Sequence, residues 1–131
     1  MSDFSLPPSL ADLEALAERA LATIPAELKR YLGRVVIRVM EFPDEETERE
    51  MELQSPFDIL GLYRGVALPR QSISDPRADP ELIFLYRRPI LDFWCETGED
   101  LSALVRHVLI HEIGHHFGFS DEDMERIEAE S

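Results

Sequence analysis

The stretch HVLIHEIGHHFGFSDEDM, residues 107–124, decides how this chain is read. It continues a helical pattern that begins upstream. Leu101, Leu104, Val105, Val108, Leu109 and Phe117 recur at the spacing of one apolar face, which predicts a single long helix over 100–117. Gly118 follows as a C-cap, because glycine takes the left-handed conformation without a Cβ penalty. A short acidic helix is expected to restart at Ser120 or Asp121.

Within this helix His111, Glu112 and His115 form the pattern HExxH. Residues four apart lie on one helical face, so His111 and His115 can direct two imidazoles at one divalent ion. Glu112 is turned about 100° around the axis from His111. That offset suits it to activating a water in an open coordination position rather than to ligation. Catalytic zinc usually takes three protein ligands and a water. Asp121, six residues beyond His115 and past the turn at Gly118, is the candidate third ligand. Its ordinary competing role is an N-cap of the last helix. Two histidines and a carboxylate suit zinc.

The four histidines of the chain fall within ten residues. His107 lies one turn before His111, on nearly the same face. Three roles stay open for it: a partly buried, hydrogen-bonded histidine, a support behind the ligands, or an alternative ligand. His116 is rotated away from His115 and is read as a packing or surface residue. Met124 is read as plain core.

Outward from this segment the pattern changes. In SLADLEALAERALATI, Leu10, Leu13, Leu16, Ala17, Ala20, Leu21 and Ile24 mark an N-terminal helix, with Ser9 as N-cap and Asp12 three residues on as in a capping box. Pro25 interrupts it and Gly33 ends its continuation. RVVIRVMEF (34–42), LGLYRGVAL (60–68) and ELIFLYR (81–87) read as strands. The acidic stretch 41–52 and the segment PRQSISDPRADP (69–80) read as loops, and Pro89–Cys95 as a short helix. Helix, three strands, then helices describe an α+β domain spanning residues 1–131.

Composition narrows the function classes. The 131 residues suit one domain, and no apolar run approaches the roughly 20 residues of a membrane span. The opening MSDFSLPPSLADLEALAE lacks the pattern of a secretory signal, so the cytoplasm is the expected compartment. The single cysteine, Cys95, agrees with a reducing compartment and is expected to be buried. A formal net charge of −14 gives no electrostatic footing for nucleic acid.

The segment HEIGHHFGFSDEDM resembles the small bacterial zincin-like metallopeptidases that carry HExxHxxGxxD, matched here by His111, Glu112, His115, Gly118 and Asp121. LGLYRGVAL and IFLYRRPI resemble that family's strand segments, and the likeness runs over roughly residues 9–128. It implies a compact zincin-like domain with a small mixed sheet packed on the N-terminal helix and the long active-site helix. It also implies zinc held by His111, His115 and Asp121, with Glu112 as general base. The third histidine of the metzincins is replaced here by Asp121.

The expected chemistry is peptide-bond hydrolysis in a shallow site, on a short peptide or a flexible protein segment. Glu112 takes the water's proton and passes it to the leaving amine. Tyr63, Tyr86 and His107 are the candidates for an oxyanion donor, although each tyrosine more ordinarily packs with its hydroxyl at the surface. ELIFLYR reads either as a strand edge for an extended peptide or as a plain interior strand. Two other readings stand beside the peptidase: a metal-binding module without catalysis, and a metal-dependent endoribonuclease, which the charge and Glu112 oppose. Substrate and oligomeric state leave no mark in the sequence.

Overall fold

A computed structural model describes residues 6–65 and 81–130. α1 (Leu10–Ala22) opens on the expected cap: the Ser9 peptide N–H donates to Asp12 Oδ2 at 2.9 Å, and the Asp12 peptide N–H donates to Ser9 Oγ at 3.0 Å. Leu13, Leu16, Ala17 and Ala20 form its buried stripe. Pro25 then stands at the N-cap of α2 (Ala26–Lys29), which stops well before its expected end at Gly33.

The strands are β1 (Val35–Met40), β2 (Gly61–Arg64) and β3 (Glu81–Tyr86). Among the described residues they form one mixed sheet in the order β1-β3-β2, with β3 parallel to β1 and antiparallel to β2. β3 is therefore the interior strand, and the edge beside the candidate site belongs to β2. Register places Ile37, Ile83 and Tyr63 in one row across the sheet. All three are buried, as the alternation of a half-covered sheet requires. The sheet packs against α1 and α5 (Leu101–His116), joining one core that includes Leu104, Val105, Leu109 and Ile110. The observed architecture is the α+β one expected.

Three local expectations are corrected. The acidic stretch 41–52, read as a loop, contains α3 (Glu45–Glu50). Asp44 caps it by accepting the Thr47 N–H at 2.7 Å, and three glutamates sit in its first turn, where the helix dipole favours them. Cys95 is exposed rather than buried, because α4 (Arg87–Thr97) buries Pro89 and Ile90 and turns Cys95 to solvent. Both Tyr63 and Tyr86 are buried, hydroxyls included in internal contacts, instead of lying at the surface. The loop expected at 69–80, and the end of the strand expected over 60–68, lie outside the described residues. No helix of the described residues is long and apolar enough to cross a membrane.

Candidate metal centre and active site

Asp100 starts α5 by accepting the Ala103 N–H at 3.0 Å, and eight residues of the helix are buried. This anchoring fixes which way the polar residues face. The helix ends at His116 with Phe117 as its C-cap, and Gly118 has φ of 81°, the left-handed conformation expected of it. The chain then reverses into α6 (Asp121–Ala129), whose N-cap is Ser120, accepting the Asp123 N–H at 3.1 Å. The cap role that competed for Asp121 thus belongs to its neighbour.

α6 packs back against α5, and Gly114 permits it. A Cβ at Gly114 would overlap Met124 Sδ and stand 2.7 Å from Met124 Cγ. Met124 is fully buried, as expected of core.

His115 and Asp121 face each other across the turn, with Nε2 and Oδ1 3.6 Å apart and both side chains exposed. The rings of His111 and His115 lie with centroids 6.0 Å apart and planes at 76°. His111 Nε2 is directed at Glu128 Oε1, at 3.3 Å. Among the described residues, the three donors that lie within 4.8 Å of one another belong to His107, His111 and Glu128. Glu128 was not singled out from the sequence. Its signal is its position seven residues after Asp121, two turns along the same face of α6.

Glu112 faces another way, into a cleft of about 340 Å³ that it shares with Gly61, Leu62 and Tyr63 of β2, with His115 and His116, and with Met51 and Ile59. Burial pushes the Glu112 carboxyl up to about 6; the charge of His115 and a hydrogen bond from the Tyr63 peptide N–H act in the opposite direction. Burial also holds the His111 imidazole below its usual range, reinforced by the charge of His107 and opposed by Glu128. A neutral imidazole is the form that binds metal.

Around the cleft, the Tyr63 hydroxyl donates to Glu81 Oε1 at 2.5 Å, and its ring stacks on His116 at 4.1 Å between centroids. Burial and the Glu81 carboxylate hold the Tyr63 phenol far above its ordinary pKa, so it stays neutral. His116 is thus a packing residue, also within 3.7 Å of Glu81. Tyr86 lines a different recess with Asp44 and Thr47.

The donor types of His111, His115 and Asp121 suit a zinc ion, although among the described residues their donor atoms do not all lie within 4.8 Å of one another. Two imidazoles one turn apart and a carboxylate on the facing helix are available, His111 is disposed to neutrality, and the partly buried Glu112 shares a cleft with His115. No protein of known, curated function matches the chain. A family model described as zincin-like metallopeptidase matches residues 32–131, which include the sheet, α5 and α6. On that match, and with the fold and helix pair just described, the chain belongs to the zincin-like metallopeptidase family.

Proposed function

We propose that this protein is a zinc-dependent peptidase in which His111, His115 and Asp121 hold the metal and Glu112 is the general base. The observation that carries the reading is the Glu112 carboxyl, raised to about 6 in the same cleft as His115. A carboxylate with that pKa accepts a proton near neutrality and gives it up again. Zinc, when bound, supplies Lewis-acid polarisation of a carbonyl and acidifies a water.

The chain's own residues do the rest. Glu112 removes the proton of the attacking water and hands it to the departing amine nitrogen, so the base is restored after each turnover. Gly61, Leu62 and Tyr63 lie along the cleft on the outer strand of the described sheet. An extended peptide segment laid beside β2 would find strand-type partners there, with its scissile bond over Glu112. The open cleft suits short or flexible peptides, and the −14 charge favours substrates that are not themselves strongly acidic.

The test is a peptide-library cleavage assay on the zinc-loaded protein and on Glu112→Gln. Hydrolysis by the parent and its loss in the variant, with zinc content unchanged, is the expected result. Equal cleavage by both proteins removes Glu112 from the mechanism.

A further inference from the structure

α5 carries a ladder of three histidines, His107, His111 and His115, each one turn from the next. α6 runs back alongside it and presents two carboxylates, Asp121 and Glu128, two turns apart. Asp121 meets the last rung, His115. Glu128 meets the first two: both of its oxygens lie 2.9 Å from His107 Nδ1, and Oε1 lies 3.3 Å from His111 Nε2. The ring centroids of His107 and His111 are 4.0 Å apart. The helix pair therefore repeats one motif, two imidazoles and a facing carboxylate, displaced by one turn.

We propose that His107, His111 and Glu128 form a second divalent-cation site, of a class suited to zinc or cobalt, which shares His111 with the His111–His115–Asp121 set. Donors about 2.0–2.1 Å from a tetrahedral ion lie about 3.3 Å from each other, close to the separations seen here. Glu128 is held from behind, since Arg106 Nη1 donates to its carbonyl oxygen at 3.0 Å while Arg106 Nε donates to Thr23 Oγ1 at 3.2 Å. The site is partly exposed and open to an ion from solution. Binding there replaces the hydrogen bonds from the two rings to Glu128 and releases any proton they share. One imidazole nitrogen cannot serve two ions, so the two sites exclude each other through His111. Rising metal concentration then does not fill both, and an ion on the Glu128 side withdraws His111 from the other set. That exclusion rests on the ligand set given under the proposed function; the existence of the second site does not.

Calorimetric titration of the metal-free full chain with Zn²⁺, and the visible spectrum with Co²⁺, test this without any activity. The His115→Ala protein is expected to retain one ion, and adding His107→Ala or Glu128→Gln is expected to weaken that binding at least about tenfold. His111→Ala is expected to weaken all binding. Unchanged binding when His107→Ala or Glu128→Gln is added overturns the second site, and so does a His115→Ala protein that binds nothing. If His107→Ala alone abolishes binding, the second site stands and the His111–His115–Asp121 reading falls. Thermal melts of the metal-free variants guard against misfolding. Should Glu128→Gln unfold the chain, the exposed His107→Ala decides the question alone.

Discussion

The Tyr63 ring stacks on His116 with centroids 4.1 Å apart, while its hydroxyl donates to Glu81 Oε1 at 2.5 Å. One residue of β2 thus lines the Glu112 cleft and ties its own side chain to α5 and β3. The hydroxyl, already committed to Glu81 at 2.5 Å, is not poised as an oxyanion donor. Tyr63→Phe is expected to lower stability by about 1 kcal/mol, the worth of one hydrogen bond. Hydrolysis should stay within a few-fold of the parent. Denaturant melts and kcat/KM check both, and a hundredfold loss of kcat/KM in a stable variant would return the hydroxyl to the catalytic machinery.

The raised carboxyl of Glu112 predicts a pH dependence of stability in the metal-free protein. Its folded pKa, about 6, lies above the 4.5 of an unperturbed glutamate, so the folded state holds more protons between those values. That contribution is present in full below about pH 4.5 and is lost as pH rises through about 6. Glu112→Gln removes the ionisation and should gain at most about 2 kcal/mol at pH 7, with little gain at pH 4.5. Melting curves at the two pH values check the difference, and an equal gain at both would mean that ionisation is not the cause.

The same group sets the acid limb of activity. Glu112 must be ionised to accept a proton, and a nearby cation favours the ionised form. The acid limb of kcat/KM in the zinc-loaded protein is therefore expected no higher than about pH 6. A limb lying well above that value would assign the rate-controlling ionisation to a different group.

Gly114 sits between the two histidines of HExxH and against Met124 of α6. Gly114→Ala forces Met124, a fully buried side chain, out of its place. Overpacking of this kind costs about 1–3 kcal/mol. Since α6 carries Asp121 and Glu128, metal affinity should fall along with stability, read by thermal melts and zinc titration of the same protein. Gly114→Ala combined with Met124→Ala is expected to recover part of the affinity by making room.

Much of this arrangement is local enough to be legible in the sequence. The Ser9–Asp12 capping box, the apolar stripe of α5 and the left-handed Gly118 each depend on residues within a few positions, and each is where the spacing predicts it. HExxH fixes which residues share a helical face for the same reason. What was hidden is non-local or depends on competing signals. Glu41 to Glu52 reads as a solvated run because charge masks the helix, yet Asp44 caps it and Thr47 turns inward. Cys95 lies in an apolar run whose helix buries a different face. The position of β3 between its neighbours depends on pairings across 46 and 20 residues, such as Val35 with Glu81 and Tyr63 with Ile83. Glu128 joins the histidines only because α6 folds back, which no spacing within α5 reveals.

Ser120 and Asp121 are adjacent yet serve separate ends, and paired substitutions separate them. Ser120 Oγ accepts the Asp123 N–H, so Ser120→Ala leaves a helix-end donor without its cap and should cost about 1 kcal/mol. Asp121 provides no cap; its carboxylate lies 3.6 Å from His115 Nε2, with 84% of the side chain exposed. Asp121→Asn removes one negative charge from the first turn of α6, a loss of about 0.3–1 kcal/mol at most. Its larger effect should be on the ion shared with His115. Zinc binding measured in the Glu128→Gln background, where the competing site is weakened, is expected to fall at least about tenfold on adding Asp121→Asn. Ser120→Ala in that background should show its change chiefly in the melting temperature. Asp121→Asn with unaltered zinc affinity there would leave His111 and His115 without their carboxylate partner, and the third ligand would have to be sought on another element.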